Sequence, residues 1–476
     1  MNGAVEASAA IPAVAWPQRL ADFRLIPRIE TYPAVVQLAG TFAGKLLILT
    51  LFAAGLRWAT EEWLSLSLCL AMITFVPLRR RLLVTVATLI CTFLVPWNNL
   101  VTPLYTSALI VFVIAVGAVF FWITRELPRT IIGRHPVFIL LVSYSLFIVF
   151  AAYFPNTTPL YITVWGLTRV FGLYVWFIAY SLLDLQSKDH DGLGLELGTY
   201  RPFWGSTVTP FPKGASYLRR IEARDSQQLA VTQLKGLKLL AWSLLISLFS
   251  RYYLDAVHHY LAIPTFRMEF FRSVQHAADP WYVCWASLLS EFFEELISIS
   301  IWGHRFIACC RMAGFNALRN TYRPLSSRTI AEFWNRYYFY FKELMVDVFF
   351  YPVFLNFFKT RKKLRMAVAT FAAAGFGNAF YHFVRDLKYI ADLGLWRALA
   401  SYHVYIFYCI VLASAITISQ MRKRGPAPGG FVRGRLLPAF CVVLFYCVLH
   451  VFDYTERAYP ITEHFRFLAH LLNLTI

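Results

Sequence analysis

A histidine and an asparagine stand four residues apart late in one apolar run, in the segment Asn378-Ala-Phe-Tyr-His382. If this run is a helix, positions i and i+4 share one face, so both side chains point toward the same neighbour. A histidine inside a membrane helix is costly to bury and is a functional candidate by default. Buried without an anionic partner it stays neutral, the state that a general base requires. The alternative is a structural histidine that bonds between helices or lies at the membrane interface.

A second polar segment, Arg328-Thr-Ile-Ala-Glu-Phe-Trp-Asn-Arg-Tyr-Tyr338, precedes the largely apolar run Met345–Phe358. Alone, such a helix can lie flat on a bilayer as an aromatic belt. The apolar run has 14 residues and basic segments on both sides, 305–342 and 359–365. Runs of about 10–14 apolar residues are more often re-entrant or interfacial than spanning. We therefore predict that Met345–Phe358 dips into the membrane from the cytoplasm and returns.

A third group consists of Glu291, Glu294 and Glu295 in the expected span 282–302, together with Arg169 in the expected span 160–184. Acidic residues at such depth usually form pairs or line a pathway. We expect a structural ion pair between Arg169 and this cluster, with a proton relay as the alternative. A loop rich in proline and glycine, residues 202–214, is a candidate cover for a ligand site, although an ordinary connector explains it nearly as well.

These residues must be positioned by membrane helices. Of the 476 residues, 58% are hydrophobic and only 15% are charged, whereas soluble domains have about 25% charged residues. The net charge of +19 does not indicate nucleic-acid binding, because the basic residues lie mostly between apolar runs, as the positive-inside rule describes. The eight cysteines show no CxxC pair and no metal-ligand spacing, so no metal site is predicted.

The sequence predicts an all-α polytopic membrane protein with about eleven transmembrane helices, plus re-entrant and interfacial helices. Residues 1–39 are an N-terminal tail with an interfacial helix near Arg19, Arg24 and Arg28, and residues 40–476 are one integral-membrane domain. Basic segments place the N-terminus in the cytoplasm, and the membrane is the inner (plasma) membrane if the source is bacterial. The expected spans are 40–58, 63–78, 82–98, 103–123, 136–153, 160–184, 236–254, 282–302, 366–384, 403–420 and 436–452.

One stretch resembles the membrane-bound O-acyltransferase (MBOAT) superfamily. It contains Gly314-Phe315-Asn316, then Pro324, then Phe333-Trp334-Asn335-Arg336-Tyr337-Tyr338, and Tyr351-Pro352 follows. Members of the superfamily show a comparable lead-in, a Phe-Trp-Arg-Arg-Trp-His/Asn signature, a short re-entrant segment and a downstream membrane histidine. That histidine matches His382, 47 residues beyond Asn335. The resemblance is most detailed over residues 280–385.

The resemblance implies acyl transfer from a thioester donor, usually acyl-CoA, to a hydroxyl, with His382 as general base. Asn335 is the nearest polar candidate for the second catalytic position, because Tyr338 stands where the signature ends in His or Asn. Either Asn335 substitutes, or Tyr338 supplies the hydrogen bond, or this function is absent. Trp334 and Asn378 are expected to line or brace a shared cavity.

The resemblance implies no permanently bound cofactor. The expected partners are membrane lipids, the thioester donor, a hydroxyl acceptor of unknown class, and accessory acyl-transfer or export proteins. Two other functions remain open. A transporter or flippase would place its cavity around the three glutamates, and a non-catalytic MBOAT-like partner subunit would explain Tyr338.

Overall fold

The computed structural model describes residues 25–94, 103–186, 193–422, 430–452 and 459–474. Within these ranges the regular secondary structure is helical, apart from one isolated bridge between Glu222 and Phe315. The predicted all-helical class is confirmed. The interfacial helix expected near residues 19–28 lies mostly outside the described residues, and residues 25–28 are not helical.

The N-terminal half of the described chain forms helices of very different lengths. They are α1 Pro33–Gly40, α2 Phe42–Ala59, α3 Trp63–Phe75, α4 Arg80–Leu94, α5 Pro103–Glu126, α6 Ile131–Arg134, α7 Pro136–Tyr153, α8 Tyr161–Leu185, α9 Leu193–Gly198, α10 Ala215–Ile221 and α11 Ser226–Leu254. A π-helical turn, Asp255–Tyr260, continues α11.

The C-terminal half contains shorter helices, several of them joined by π-helical turns. They are α12 Phe266–Val274, α13 Trp281–Met312, α14 Ile330–Tyr337, α15 Phe339–Met345, α16 Tyr351–Asn356, α17 Lys362–Thr370, α18 Asn378–Arg385, α19 Lys388–Leu393, α20 Leu395–Ser401, α21 His403–Met421, α22 Leu437–Leu449 and α23 Ile461–Leu471. The π-helical turns are Val346–Phe350, Phe371–Gly377 and Val432–Leu436.

Seven helical segments of the described chain are long and apolar enough to cross a bilayer. They are Phe42–Ala59, Leu104–Glu126, Pro136–Tyr153, Tyr161–Leu185, Ser226–Tyr260, His403–Met421 and Val432–Phe452. The chain is therefore a multi-pass membrane protein, but the total of eleven spans is not confirmed. The other four expected spans do not meet this criterion. Two of them correspond to short helices: α3 has 13 residues and α4 has 15. The third, α13, contains the three glutamates, and the fourth is divided by the π turn at Phe371–Gly377.

The buried side chains of the described residues form three main clusters, and the longest helix, α13, connects two of them. The 32-residue helix α13 spans about 48 Å and packs along α11. Its C-terminal half joins the cluster of α1–α4 and α11, and its N-terminal half joins the cluster of α12, α14 and α21–α23. The third cluster contains α5, α7, α8, α15 and α18. Trp334 and Tyr338 each pack against two clusters, which places the end of α14 where the clusters meet.

The run Met345–Phe358 belongs to a longer helical segment. From Phe339 to Asn356 the chain continues through α15, the π turn Val346–Phe350 and α16, and the residues at both junctions have helical dihedral angles. The reversal comes afterwards, at residues 357–361, and α17 then packs against α16. The apolar run therefore extends a helix that begins in the preceding polar segment, and its dip into the membrane and return stay a prediction.

Candidate functional site

A cavity of about 430 Å³, called the central cavity, lies where the three clusters meet. Its walls come from α13, α14, α15, α18, α21 and the loop before α10. Four of the five residues predicted for the site line it: Trp334, Tyr338, Asn378 and His382. The other lining residues are Thr207, Val208, Glu291, Glu295, Ile299, Trp302, Tyr337, Phe341, Tyr381, Arg385, Tyr405, Tyr408 and His450.

Helix α18 presents Asn378 and His382 to this cavity, as their i, i+4 spacing predicted. The π turn Phe371–Gly377 directly precedes α18. Because a π turn inserts an extra residue, it rotates the face of the helix that follows, and such turns are frequent at functional sites. Gly377 permits this packing, since a Cβ atom there would lie 2.6 Å from the ring of Phe349.

Aromatic rings surround His382. The centroid of its imidazole lies 4.6 Å from that of Tyr405, 5.3 Å from Tyr381 and 6.1 Å from Phe341. The Tyr402 hydroxyl donates to the main-chain carbonyl of His382 at 3.1 Å, which ties α18 to the start of α21. These contacts limit the orientations of the ring and displace water from its sides, while its edge remains at the cavity wall.

Asn378 supplies a hydrogen-bond donor next to His382. The residue is 1% exposed, and its Oδ1 accepts from the Tyr405 hydroxyl at 3.3 Å. Its Nδ2 has no hydrogen-bond acceptor among the described residues. A buried donor without an acceptor is costly, so this amide is suited to a ligand oxygen in the cavity.

Tyr338 links the central cavity to the loop before α10. Its hydroxyl lies 3.1 Å from Thr209 Oγ1 and 3.4 Å from Thr207 Oγ1. The Tyr381 hydroxyl also contacts Thr209 Oγ1, at 2.8 Å. Thr207 and Val208 themselves line the cavity, so the loop of residues 202–214 is part of its wall. Its predicted role as a cover for a donor stays a prediction.

Lys213 anchors the other end of this loop to the helix that begins with α15. Its Nζ lies 2.7 Å from Glu343 Oε2 and 2.7 Å from Asp347 Oδ2. Burial alone lowers the pKa of Lys213, but Asp347 and Glu343 outweigh burial and raise it above its ordinary value. The ammonium therefore stays charged, and the ion pairs hold the loop against the cavity.

Asn335 does not line the central cavity, contrary to the prediction. It is exposed and lines a separate space of about 230 Å³, the side pocket, which also contains Lys342, Thr370 and Gln420. Trp334 lines both spaces and stands between them. Successive residues of an α-helix are rotated by about 100°, so neighbours in the motif face different surroundings. Thr329 caps this helix by accepting from the Glu332 amide at 3.1 Å.

Two of the three glutamates, Glu291 and Glu295, also line the central cavity, and Glu294 and Glu295 each pair with a histidine. Glu295 Oε2 lies 3.5 Å from His450 Nδ1 at the cavity wall. Glu294 lies outside the cavity, with its Oε1 3.0 Å from His258 Nε2. The predicted ion pair with Arg169 is wrong: Arg169 is exposed on α8 and pairs with no acidic side chain among the described residues.

His450 and Arg385 are cavity residues that the sequence reasoning missed. Arg385 is three positions beyond His382 on α18 and pairs with Asp386 at 3.1 Å. Its i, i+3 spacing places Arg385 on the same helix face as His382, so the sequence could have indicated it. His450 ends the last apolar run, so the criterion that selected His382 applied to it as well.

The fold and this cavity define an all-helical, multi-pass integral membrane protein with a polar cavity among its helices. No protein-family model matches the chain, and no curated protein matches it. The cavity combines two histidines, two carboxylates, an arginine, an amide and several tyrosine hydroxyls. Such a set can transfer protons, bind hydroxyl groups and stabilise negative charge on oxygen.

Proposed function

We propose that this protein is a membrane-embedded O-acyltransferase that moves an acyl group from a thioester donor, acyl-CoA, to a hydroxyl acceptor. The main observation in its support is that His382 lines one cavity with Trp334, Tyr338 and Asn378. These residues come from the two segments that resemble the MBOAT superfamily, and the two segments are forty or more positions apart in sequence. Their convergence is what a shared reaction centre requires.

His382 acts as the general base in this proposal. The imidazole takes the proton of the acceptor hydroxyl while the hydroxyl oxygen attacks the thioester carbonyl, forming a tetrahedral oxyanion. Collapse of this intermediate breaks the carbon–sulfur bond. The thiolate leaves and takes the proton from the imidazolium, so the base is regenerated. The aromatic walls exclude water, which limits hydrolysis of the thioester.

Asn378 stabilises the oxyanion in this proposal, and Tyr338 forms part of the cavity wall. The Asn378 Nδ2 has no acceptor among the described residues, and a small rotation of the amide lets it donate to the developing oxyanion. Tyr338, not Asn335, stands at the central cavity, and in this proposal its hydroxyl holds the loop through Thr207 and Thr209 and does not act on the substrate.

The membrane arrangement forms part of the proposal. Segments 63–78, 82–98, 282–302 and 366–384 complete eleven spans, and the N-terminus lies in the cytoplasm. The basic segments between the apolar runs support this orientation. The acyl-CoA then enters from the cytoplasmic side, and the membrane is the inner one if the source is bacterial.

A proton-coupled transporter is the second candidate, since Glu291, Glu295 and His450 line the same cavity as His382. Acidic and histidine side chains along a membrane cavity are typical of proton relays. The central cavity thus contains residues expected for the acyltransferase, such as His382, together with two of the glutamates expected for the transporter.

An assay in detergent separates the two candidates. An acyltransferase consumes acyl-CoA in detergent solution, whereas transport can be measured only across a membrane that separates two compartments. Purified protein is incubated with acetyl-, octanoyl- or palmitoyl-CoA and a mixture of lipid, sugar and peptide hydroxyls. Free thiol is measured by absorbance and acylated product by mass spectrometry. We expect thiol release to match ester formation for at least one donor.

The control donor is a thioether analogue, in which a methylene replaces the thioester carbonyl. It should compete with acyl-CoA and release no thiol. Turnover that appears only after vesicles establish a pH gradient would favour the transporter. Turnover that appears only with a second protein added would favour a non-catalytic partner subunit.

A further inference from the structure

A larger cleft of about 920 Å³ shares no lining residue with the central cavity. We call it the basic cleft, because six cationic side chains from four separate segments line it. These are Lys45, Arg79, Arg80, Arg81, Arg219 and Arg224. Lys45 lies in the first turn of α2, and Arg219 is in α10. Arg79 ends the 3-10 turn before α4, Arg80 and Arg81 begin α4, and Arg224 precedes α11. The tertiary structure therefore gathers basic groups that are distant in sequence.

The acidic residues of the basic cleft do not balance this charge. Glu222 contacts Arg80 at 3.4 Å and Arg81 at 3.0 Å. Asp225 caps α11 by accepting from the Gln228 amide at 2.7 Å. Glu222 and Asp225 are the acidic residues among the lining side chains, and Glu196, which does not line the cleft, lies 3.8 Å from Arg219. Three acidic groups therefore face six cations.

Several of these cations have unused hydrogen-bonding capacity. Lys45, Arg79 and Arg224 form no ion pair with the described residues. Arg80 is 4% exposed, and its Nε has no hydrogen-bond acceptor among the described residues. Like charges in one cleft repel one another, and a bound anion removes this repulsion. Guanidinium groups donate paired hydrogen bonds to phosphate oxygens, so phosphate is the anion that this arrangement suits.

The exposed leucines at the rim of the basic cleft indicate that the phosphate belongs to a lipid. Leu78, which directly precedes the three arginines, is 98% exposed, and Leu82 is 54% exposed. The cleft also borders the first turn of α2, a helix long and apolar enough to cross the bilayer. Arginines beside exposed leucines at the end of a membrane helix lie at headgroup depth, with the leucines among lipid chains.

We propose that the basic cleft binds the phosphate of an anionic phospholipid headgroup, with the lipid chains along Leu78 and Leu82. Arg79, Arg224 and Lys45 contact the phosphate, while Arg80 and Arg81 form the floor with Glu222. This lipid site does not depend on acyl transfer. Anionic lipids of the cytoplasmic leaflet are attracted to basic segments of this kind.

Native mass spectrometry of the purified protein tests this site. The protein is titrated with phosphatidylglycerol or phosphatidylcholine, and bound lipid is counted. We expect tight binding of phosphatidylglycerol only, and roughly tenfold or greater weakening in the double variant Arg79→Gln/Arg224→Gln, because two charged hydrogen-bond donors are lost. Both residues are exposed, so folding should be unaffected, which thermal unfolding verifies.

The matched control is Arg129→Gln, an exposed arginine outside the basic cleft, which should bind phosphatidylglycerol like the parent protein. Excess inorganic pyrophosphate should leave the lipid bound. Equal binding of both lipids, equal binding by the double variant and the control, or displacement of the lipid by pyrophosphate would each overturn the proposal. The last result would assign the cleft to a soluble phosphate instead.

Discussion

The two spaces on either side of Trp334 differ in their chemistry. The central cavity contains His382, His450, Glu291, Glu295 and Arg385. The side pocket is lined mainly by alanine, methionine, valine, phenylalanine and isoleucine, with a few polar groups. The same short helix, α14, lines both spaces. A sequence motif on a helix therefore identifies a region of the fold, but the direction of each side chain decides which of its residues meets a ligand.

The largest effect is expected at His382. The variant His382→Ala should lose roughly 10²–10⁴-fold in acyl-transfer turnover, because the acceptor hydroxyl loses its base. The substitution removes a half-buried ring, so thermal unfolding should confirm that the variant folds. The matched control, His403→Ala, changes an exposed histidine and should keep the parent rate. A His382→Ala protein with near-parental turnover would refute the mechanism.

Asn378 should have the next largest effect. Removal of an oxyanion donor costs about 10²–10³-fold in kcat, so Asn378→Ala should lower kcat by that order and leave KM little changed. The control Asn356→Ala changes an exposed asparagine outside both spaces. A rise in KM at unchanged kcat would mean that Asn378 binds the ground state and does not stabilise the oxyanion.

Tyr338 should affect stability more than chemistry. The variant Tyr338→Phe loses the hydroxyl contacts with Thr207 and Thr209, although Thr209 keeps its bond to Tyr381. A typical hydrogen bond contributes about 0.5–1.5 kcal/mol, so unfolding free energy in detergent should fall by about 1 kcal/mol. Tyr351→Phe, at an exposed tyrosine, is the comparison and should be neutral. A turnover loss comparable to that of Asn378→Ala would show that the Tyr338 hydroxyl acts on the substrate.

The smallest effect is expected at Asn335, where motif and structure disagree. Because Asn335 is exposed at the side pocket, Asn335→Ala should change turnover by less than about threefold. Exposed substitutions also change unfolding free energy by only about 0.5 kcal/mol. A loss near that of His382→Ala would mean that α14 rotates during the reaction and that the two spaces exchange roles.

The apolar pattern determined the secondary structure well. The expected spans 136–153 and 403–420 coincide closely with Pro136–Tyr153 and His403–Met421. A bilayer-crossing helix satisfies its own backbone hydrogen bonds and needs a long apolar run, so such a helix can be read from local sequence. The i, i+4 face of Asn378 and His382 follows from the same local geometry.

Only the tertiary structure decided which residues of separate segments meet. Glu295 pairs with His450, which is 155 positions away in sequence, and not with Arg169. Asn335 faces away from His382, whereas Tyr338 faces the same cavity. The continuation of α15 through the π turn into α16 likewise appears only in the folded chain, where the polar segment and the apolar run form one helix. Pairing and side-chain direction depend on how helices rotate against one another, and local sequence does not encode that rotation.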